Sequence, residues 1–97
     1  MTTVNDYINT NHEKLDLYTT AITRAHGKNH PEAFDVRELY TQVEVKVKAA
    51  GADKPNLDSE FEKLREVTNN YTIPKDVCGT YEAVYKSLEE ADKLYSA

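Results

Sequence analysis

The chain has 97 residues, enough for one domain around a single modest core. Charged residues make up 30% and hydrophobic residues 39%, a balance that excludes a disordered chain, and no apolar run approaches the roughly 20 residues needed to cross a bilayer. A net charge of −5 argues against nucleic acid as a partner, because neutralising phosphates needs a basic surface, and Lys46, Lys48 and Lys54 are interleaved with acids and apolar residues.

In chain order, Val4, Ile8, Asn11, Leu15, Tyr18, Ile22 and Ala25 recur at steps of four and three. This is the seam of an amphipathic helix that stops near Gly27. Pro31 suits the first position of a second helix, where its missing N–H costs nothing. Val36, Tyr40, Val43, Val47 and Ala50 form the stripe of that helix, and Gly51 ends it. The segment Val43-Glu44-Val45-Lys46-Val47 also alternates with period two, so a strand competes locally, but no partner strand stands elsewhere. Asn56 is a reasonable N-cap for a short third helix carrying Leu57, Phe61, Leu64 and Val67. After Asn69-Asn70, Thr72 is expected to cap the last helix, with Pro74 in its first turn. Val77, Tyr81, Val84, Leu88, Ala91 and Tyr95 give the cleanest stripe in the chain. The expected fold is all-α: one domain over residues 1–97, a compact antiparallel up-and-down four-helix bundle.

Two motifs carry a resemblance. The segment Val67-Thr68-Asn69-Asn70-Tyr71-Thr72-Ile73-Pro74-Lys75-Asp76-Val77-Cys78 places a Thr-Asn-Asn turn, a proline and then a cysteine before an amphipathic helix. Upstream stands His26-Gly27-Lys28-Asn29-His30-Pro31-Glu32. In that order the pair resembles the repair-of-iron-centres proteins, a hemerythrin-like family implicated in mending damaged iron–sulfur clusters, and the resemblance covers residues 22–97 with gaps. It implies a hemerythrin-like bundle, iron as the cofactor and a role in iron–sulfur cluster maintenance under oxidative or nitrosative stress. His26 resembles an iron-ligating histidine of that family, with His30 and Glu32 as its candidate helpers, and Cys78 aligns with a cysteine of the family's closing segment.

The ligand set departs from the family's pattern. The chain has three histidines and no His-x-x-x-Glu. The positions where further ligands should fall, near Ala50 and Lys54, hold no imidazole, and the family's final His-x-x-x-Glu would lie beyond Ala97. His12 and Asp16 are one helical turn apart, but both lie beside the seam, as an exposed pair would. His12 and His26 are about 21 Å apart along one helix and share no metal within a chain. The expectation is an accessory or iron-binding protein with an incomplete site that works with a protein partner or as a homodimer, a complete site forming where two chains each lend a histidine and carboxylates. The alternative is a metal-free helical interaction module that keeps only the scaffold, with His26 and His30 as structural turn residues.

Cys78, the one cysteine, has two readings of its own. Near a helix N-terminus a thiolate is favoured by the dipole and the free amides, which makes it a candidate for redox or nitrosation chemistry. Otherwise it is a small buried residue beside Val77. No histidine stands close to it in sequence to act as a base. The seven tyrosines suit a bundle lining whose hydroxyls reach polar partners. Glu89-Glu90-Ala91-Asp92 reads as a solvated face rather than a carboxylate dyad. No phosphate-binding glycine loop, serine elbow or zinc knuckle is present, so no catalytic residue is assigned. The N-terminus Met1-Thr2-Thr3-Val4-Asn5-Asp6 lacks the basic and apolar regions of a leader, and a lone cysteine fits a reducing compartment, so a cytoplasmic location is expected.

Overall fold

A computed structural model describes residues 2–97; Met1, the first residue of the stretch read for a leader, lies outside them. Among the described residues the elements are four helices, α1 (Val4–His26), α2 (Glu32–Ala50), α3 (Asp58–Val67) and α4 (Gly79–Ser96). Helix α1 packs on α2 and on α4, and α2 packs on α3. The α3–α4 side closes through side chains, with the Phe61 and Tyr95 rings 5.3 Å apart and Arg65 bound to Asp92. This is the expected four-helix bundle. No described helix is long and apolar enough to cross a membrane.

The start of α1 is fixed by a capping box. Thr3 Oγ1 accepts from the Asp6 amide at 3.1 Å, and the Thr3 amide donates to Asp6 Oδ2 at 3.3 Å. Val4, Ile8, Leu15 and Ile22 are buried as the seam requires, joined by Asn5 and Thr19. Asn11 and Tyr18 are half-buried and Ala25 is exposed, so the seam drifts off the core at those positions. Asn5 uses its buried amide to donate to the carbonyls of Gly51 and Asp53, at 3.1 and 2.8 Å. That bond ties the beginning of α1 to the α2–α3 loop. Gly51 stands there at φ 60°, ψ −113°, a conformation that only glycine adopts without strain.

The α1–α2 turn is tight. The amides of Asn29 and His30 both donate to the His26 carbonyl, at 3.1 and 2.7 Å. Gly27 is required by close approach, since a Cβ there would run into the Thr23 carbonyl oxygen and meet the Phe34 ring at 2.6 Å. Helix α2 begins at Glu32, directly after Pro31. The alternating valines of α2 are helical. Val43 and Val47, four apart, are buried, while Val45 points outward and is 61% exposed. A strand would have put all three on one face.

Helix α3 starts one residue later than expected, with Leu57 rather than Asn56 as its N-cap and no side-chain cap bond. Asn56 Oδ1 accepts from the Asp58 amide at 3.2 Å, and Leu57, Phe61 and Leu64 are buried. It ends in three consecutive left-handed residues, Asn69, Asn70 and Tyr71, with φ of 52°, 58° and 61°. The Asn70 amide returns to the Arg65 carbonyl at 2.7 Å, and the Tyr71 amide donates to the Thr68 hydroxyl at 2.9 Å.

The last helix starts later than its sequence motif implies. Thr72 does not cap it, because the Thr72 hydroxyl already donates to the Asn69 carbonyl at 2.6 Å. Residues 72–78 instead run as a non-helical lead segment, with Pro74 disfavouring helical backbone at Ile73. Cys78, extended at φ −82° and ψ 171°, is the residue before the first turn of α4. The acidic run near the end of α4 also departs from expectation. Asp92 is buried rather than solvated, held by Arg65 and by the Tyr71 hydroxyl, each at 2.8 Å.

Candidate thiol–imidazole site

Two short segments meet at one end of the bundle, the turn after α1 and the lead into α4. Antiparallel packing of α1 on α4 brings the last residue of the first helix beside the first turn of the last. His26 Nε2 lies 3.3 Å from Cys78 Sγ, although 52 residues separate them in sequence. His30 Nε2 lies 2.8 Å from Asp76 Oδ1, and its Nδ1 lies 3.3 Å from Glu32 Oε1. The latter is a close contact without hydrogen-bond alignment, leaving Glu32 Oε1 shielded from solvent and without a hydrogen-bond partner.

Tyr81, buried in the first turns of α4, is the platform for both imidazoles. Its ring centroid is 5.4 Å from that of His26 and 5.7 Å from that of His30, in edge-on arrangements. The hydroxyl of Tyr81 meets that of Tyr85 at 3.0 Å inside the core. Burial and this contact hold the Tyr81 phenol well above its ordinary range, so it stays protonated. The Tyr85 phenol is raised chiefly by burial as well.

Cys78 is exposed, which corrects the reading of it as a small buried residue under the Asn69-Asn70 turn. Its thiol is lowered to about 7 from an ordinary 9.0. The largest cause is the backbone amide of Tyr81 in the first turn of α4, although the Cys78 side chain makes no capping hydrogen bond to that turn. The hydrogen bond with His26 follows, and the Thr80 amide adds to it. Asp76 is lowered too, first by its hydrogen bond to His30 and then by its own backbone amide.

The four residues singled out in the sequence, His26, His30, Glu32 and Cys78, therefore lie together. Asp76 and Tyr81 complete the cluster and carried no functional assignment from sequence. The signal for Asp76 was the matching spacing: a histidine pair four apart across one turn, and an aspartate and cysteine two apart in one extended segment. His12 is remote from this end. Its neighbour Asp16 is taken by Arg37 at 2.6 Å, and its own carbonyl accepts from the Tyr40 hydroxyl at 3.2 Å.

Iron, which the resemblance implies, does not fit this arrangement within one chain. Each donor is directed at another member of the cluster: His26 at Cys78, and His30 at Asp76 and Glu32. Among the described residues no three His, Cys, Asp or Glu side chains converge as a metal centre requires. Between the helices, where a hemerythrin-like centre would sit, stand Ile8, Leu15, Ile22, Val36, Val43, Tyr81 and Tyr85, all buried. No protein-family model matches the chain, and no solved structure matches it.

Proposed function

We propose that this protein acts through the Cys78 thiolate, paired with His26, as a thiol that reacts with electrophilic oxidants in the oxidative or nitrosative stress setting that the resemblance implies. The observation that carries this reading is the His26–Cys78 contact of 3.3 Å at the exposed N-terminus of α4. A thiolate is the reactive form of cysteine, and a neighbouring imidazole with unpaired helix amides favours it.

With a hydroperoxide, the Cys78 thiolate attacks the terminal oxygen. The S–O bond forms and the O–O bond breaks. Sulfur is oxidised to the sulfenic acid, and the peroxide is reduced to an alcohol or water. The proton that left the thiol for His26 Nε2 goes to the departing oxygen, so the imidazole returns to its neutral state. Because the chain has a single cysteine, a second thiol must come from outside to reduce the product. That defines the partner by chemistry as a small-molecule thiol, a thiol-bearing protein, or Cys78 of a second copy. In the context of iron–sulfur cluster maintenance this is an accessory role, with no step through bound iron.

The test is exposure of the purified protein to hydrogen peroxide with a sulfenic-acid-trapping diketone, followed by intact-mass measurement. The expected result is one trapped adduct on Cys78 at neutral pH, formed more slowly in His26→Ala. A Cys78 that stays unmodified while a free-cysteine control is oxidised would refute the reading.

A further inference from the structure

The Cys78–His26 pair is held in register by a second, parallel cross-link. The lead segment 72–78 is non-helical, and Cys78 stands at its very end. Ile73 and Val77 anchor it by half-buried apolar contact with the core. Such contacts are non-directional and tolerate sliding along the chain. Backbone bonds hold its two ends, the Thr72 amide to the Thr68 carbonyl at 3.0 Å and the Glu82 amide to the Cys78 carbonyl at 3.2 Å. The directional side-chain bond between them is His30 to Asp76 at 2.8 Å. His30 is itself fixed, by its amide bond to the His26 carbonyl at 2.7 Å and by the Tyr81 ring beneath it.

The spacings match. The His26 and His30 ring centroids are 6.4 Å apart. Two residues of chain, Asp76 to Cys78, reach at most about 7 Å. Two rungs therefore join the turn to the lead segment, His26 with Cys78 and His30 with Asp76, and slippage of the segment breaks both together. We propose that His30 and Asp76 are positioning residues for the reactive thiol: their bond sets the lead segment so that the Cys78 sulfur meets His26 Nε2 at the first turn of α4. This inference rests on the thiol reading above.

Electrostatics alone predicts the opposite effect of removing Asp76, which makes the proposal testable by sign. A carboxylate two residues from a thiol disfavours the thiolate, so its loss through charge alone would lower the thiol pKa. Loss of positioning raises it, because the sulfur leaves its imidazole and amide donors.

The experiment is the pH profile of Cys78 alkylation by iodoacetamide, read by mass, in the wild-type protein and in Asp76→Asn and His30→Ala. Asp76 is an exposed side chain, so Asp76→Asn is expected to fold, and circular dichroism checks this. The expected wild-type midpoint is about 7. In both variants it should move up toward the free-thiol value of about 8.5. At pH 7 that shift lowers the thiolate fraction roughly 15-fold, while the greater nucleophilicity of a more basic thiolate offsets about fivefold, leaving a net slowing of about threefold. A midpoint that falls or stays at the wild-type value in Asp76→Asn overturns the positioning role and leaves the thiol reading intact. A wild-type midpoint already near 8.5 overturns the thiol reading itself.

Discussion

Cys78 takes its chemistry from residues at the far end of the sequence, and each contribution can be removed separately. His26→Ala removes the imidazole but leaves the Tyr81 and Thr80 amides in place. The thiol should then rise only part of the way from about 7 toward its ordinary value, because the Tyr81 amide is the larger cause. The same group makes stability depend on pH. Its folded value lies below its unfolded one, so its stabilising contribution is full above the unfolded value of about 9 and is lost as pH falls through about 7. The stability difference between wild type and Cys78→Ser should accordingly grow in favour of wild type from pH 7 to pH 9, as read by urea denaturation at several pH values. Asp76 follows the same sign at lower pH. Its pairing with His30 contributes above the ordinary carboxylate range and is lost on acidification through its lowered value. From sequence, Cys78 could be placed near the beginning of a helix, but its place as the N-cap, its exposure and its base could not. The nearest histidine is 48 positions away, and only the antiparallel return of α4 along α1 brings the two together.

At the scale of elements, the helical seams were legible because burial follows the 3.6-residue period. Val4, Ile8, Leu15, Ile22, Val36, Val43, Val47, Tyr81, Val84 and Leu88 are all core residues. The start of α4 was not legible. Thr72 and Pro74 form a plausible helix opening by local chemistry, but Thr72 is committed to the preceding turn and the chain runs non-helical for six more residues before α4 begins at Gly79. That turn carries a local cost, since left-handed backbone at a residue with a bulky side chain is unfavourable by about 1–2 kcal/mol. Tyr71 accepts it because its hydroxyl reaches the buried carboxylate of Asp92. Tyr71→Phe should therefore destabilise by ~1–2 kcal/mol, since it removes a buried hydrogen bond to a charged group while keeping the ring. The tight α1–α2 turn offers a second test. Gly27→Ala drives a Cβ against the Thr23 carbonyl as well as the Phe34 ring and should cost about 1–3 kcal/mol, roughly 4–8 °C in Tm for each kcal/mol. Its thermal melt, run beside that of Val45→Ala on the exposed face of α2, separates a turn effect from a general one. The Val45 change should stay within about 0.5 kcal/mol.

Across the whole molecule, the bundle spans 38 Å along its longest axis, and α1, at roughly 35 Å for 23 residues, runs nearly its full length. Its two ends are finished differently. At one, Asn5 fastens the α2–α3 loop; at the other, the imidazoles of His26 and His30 meet the lead into α4. Among the described residues the interior is mostly apolar side chains and tyrosines, and the buried carboxylates of Glu60 and Asp92 are paired with Lys46 and Arg65. Fe(II) added anaerobically should thus leave Tm unchanged, whereas a ligand bound only to the native state would raise it. The four-helix fold could be read from sequence, because short loops and repeated stripes leave few other ways to bury the seams. The grouping of His26, His30, Glu32 and Cys78 could not, because it depends on which helix ends meet. The resemblance to the repair-of-iron-centres proteins named these residues from motifs, and the fold brings them to one end of the bundle.

The most direct test of the thiolate–imidazole pair is the ionisation of Cys78 in the intact protein, followed by thiolate ultraviolet absorbance across pH with Cys78→Ser as the blank. The expected midpoint is about 7, displaced upward in His26→Ala. A midpoint at or above about 8.5 in the wild-type protein, unmoved by His26→Ala, would contradict it.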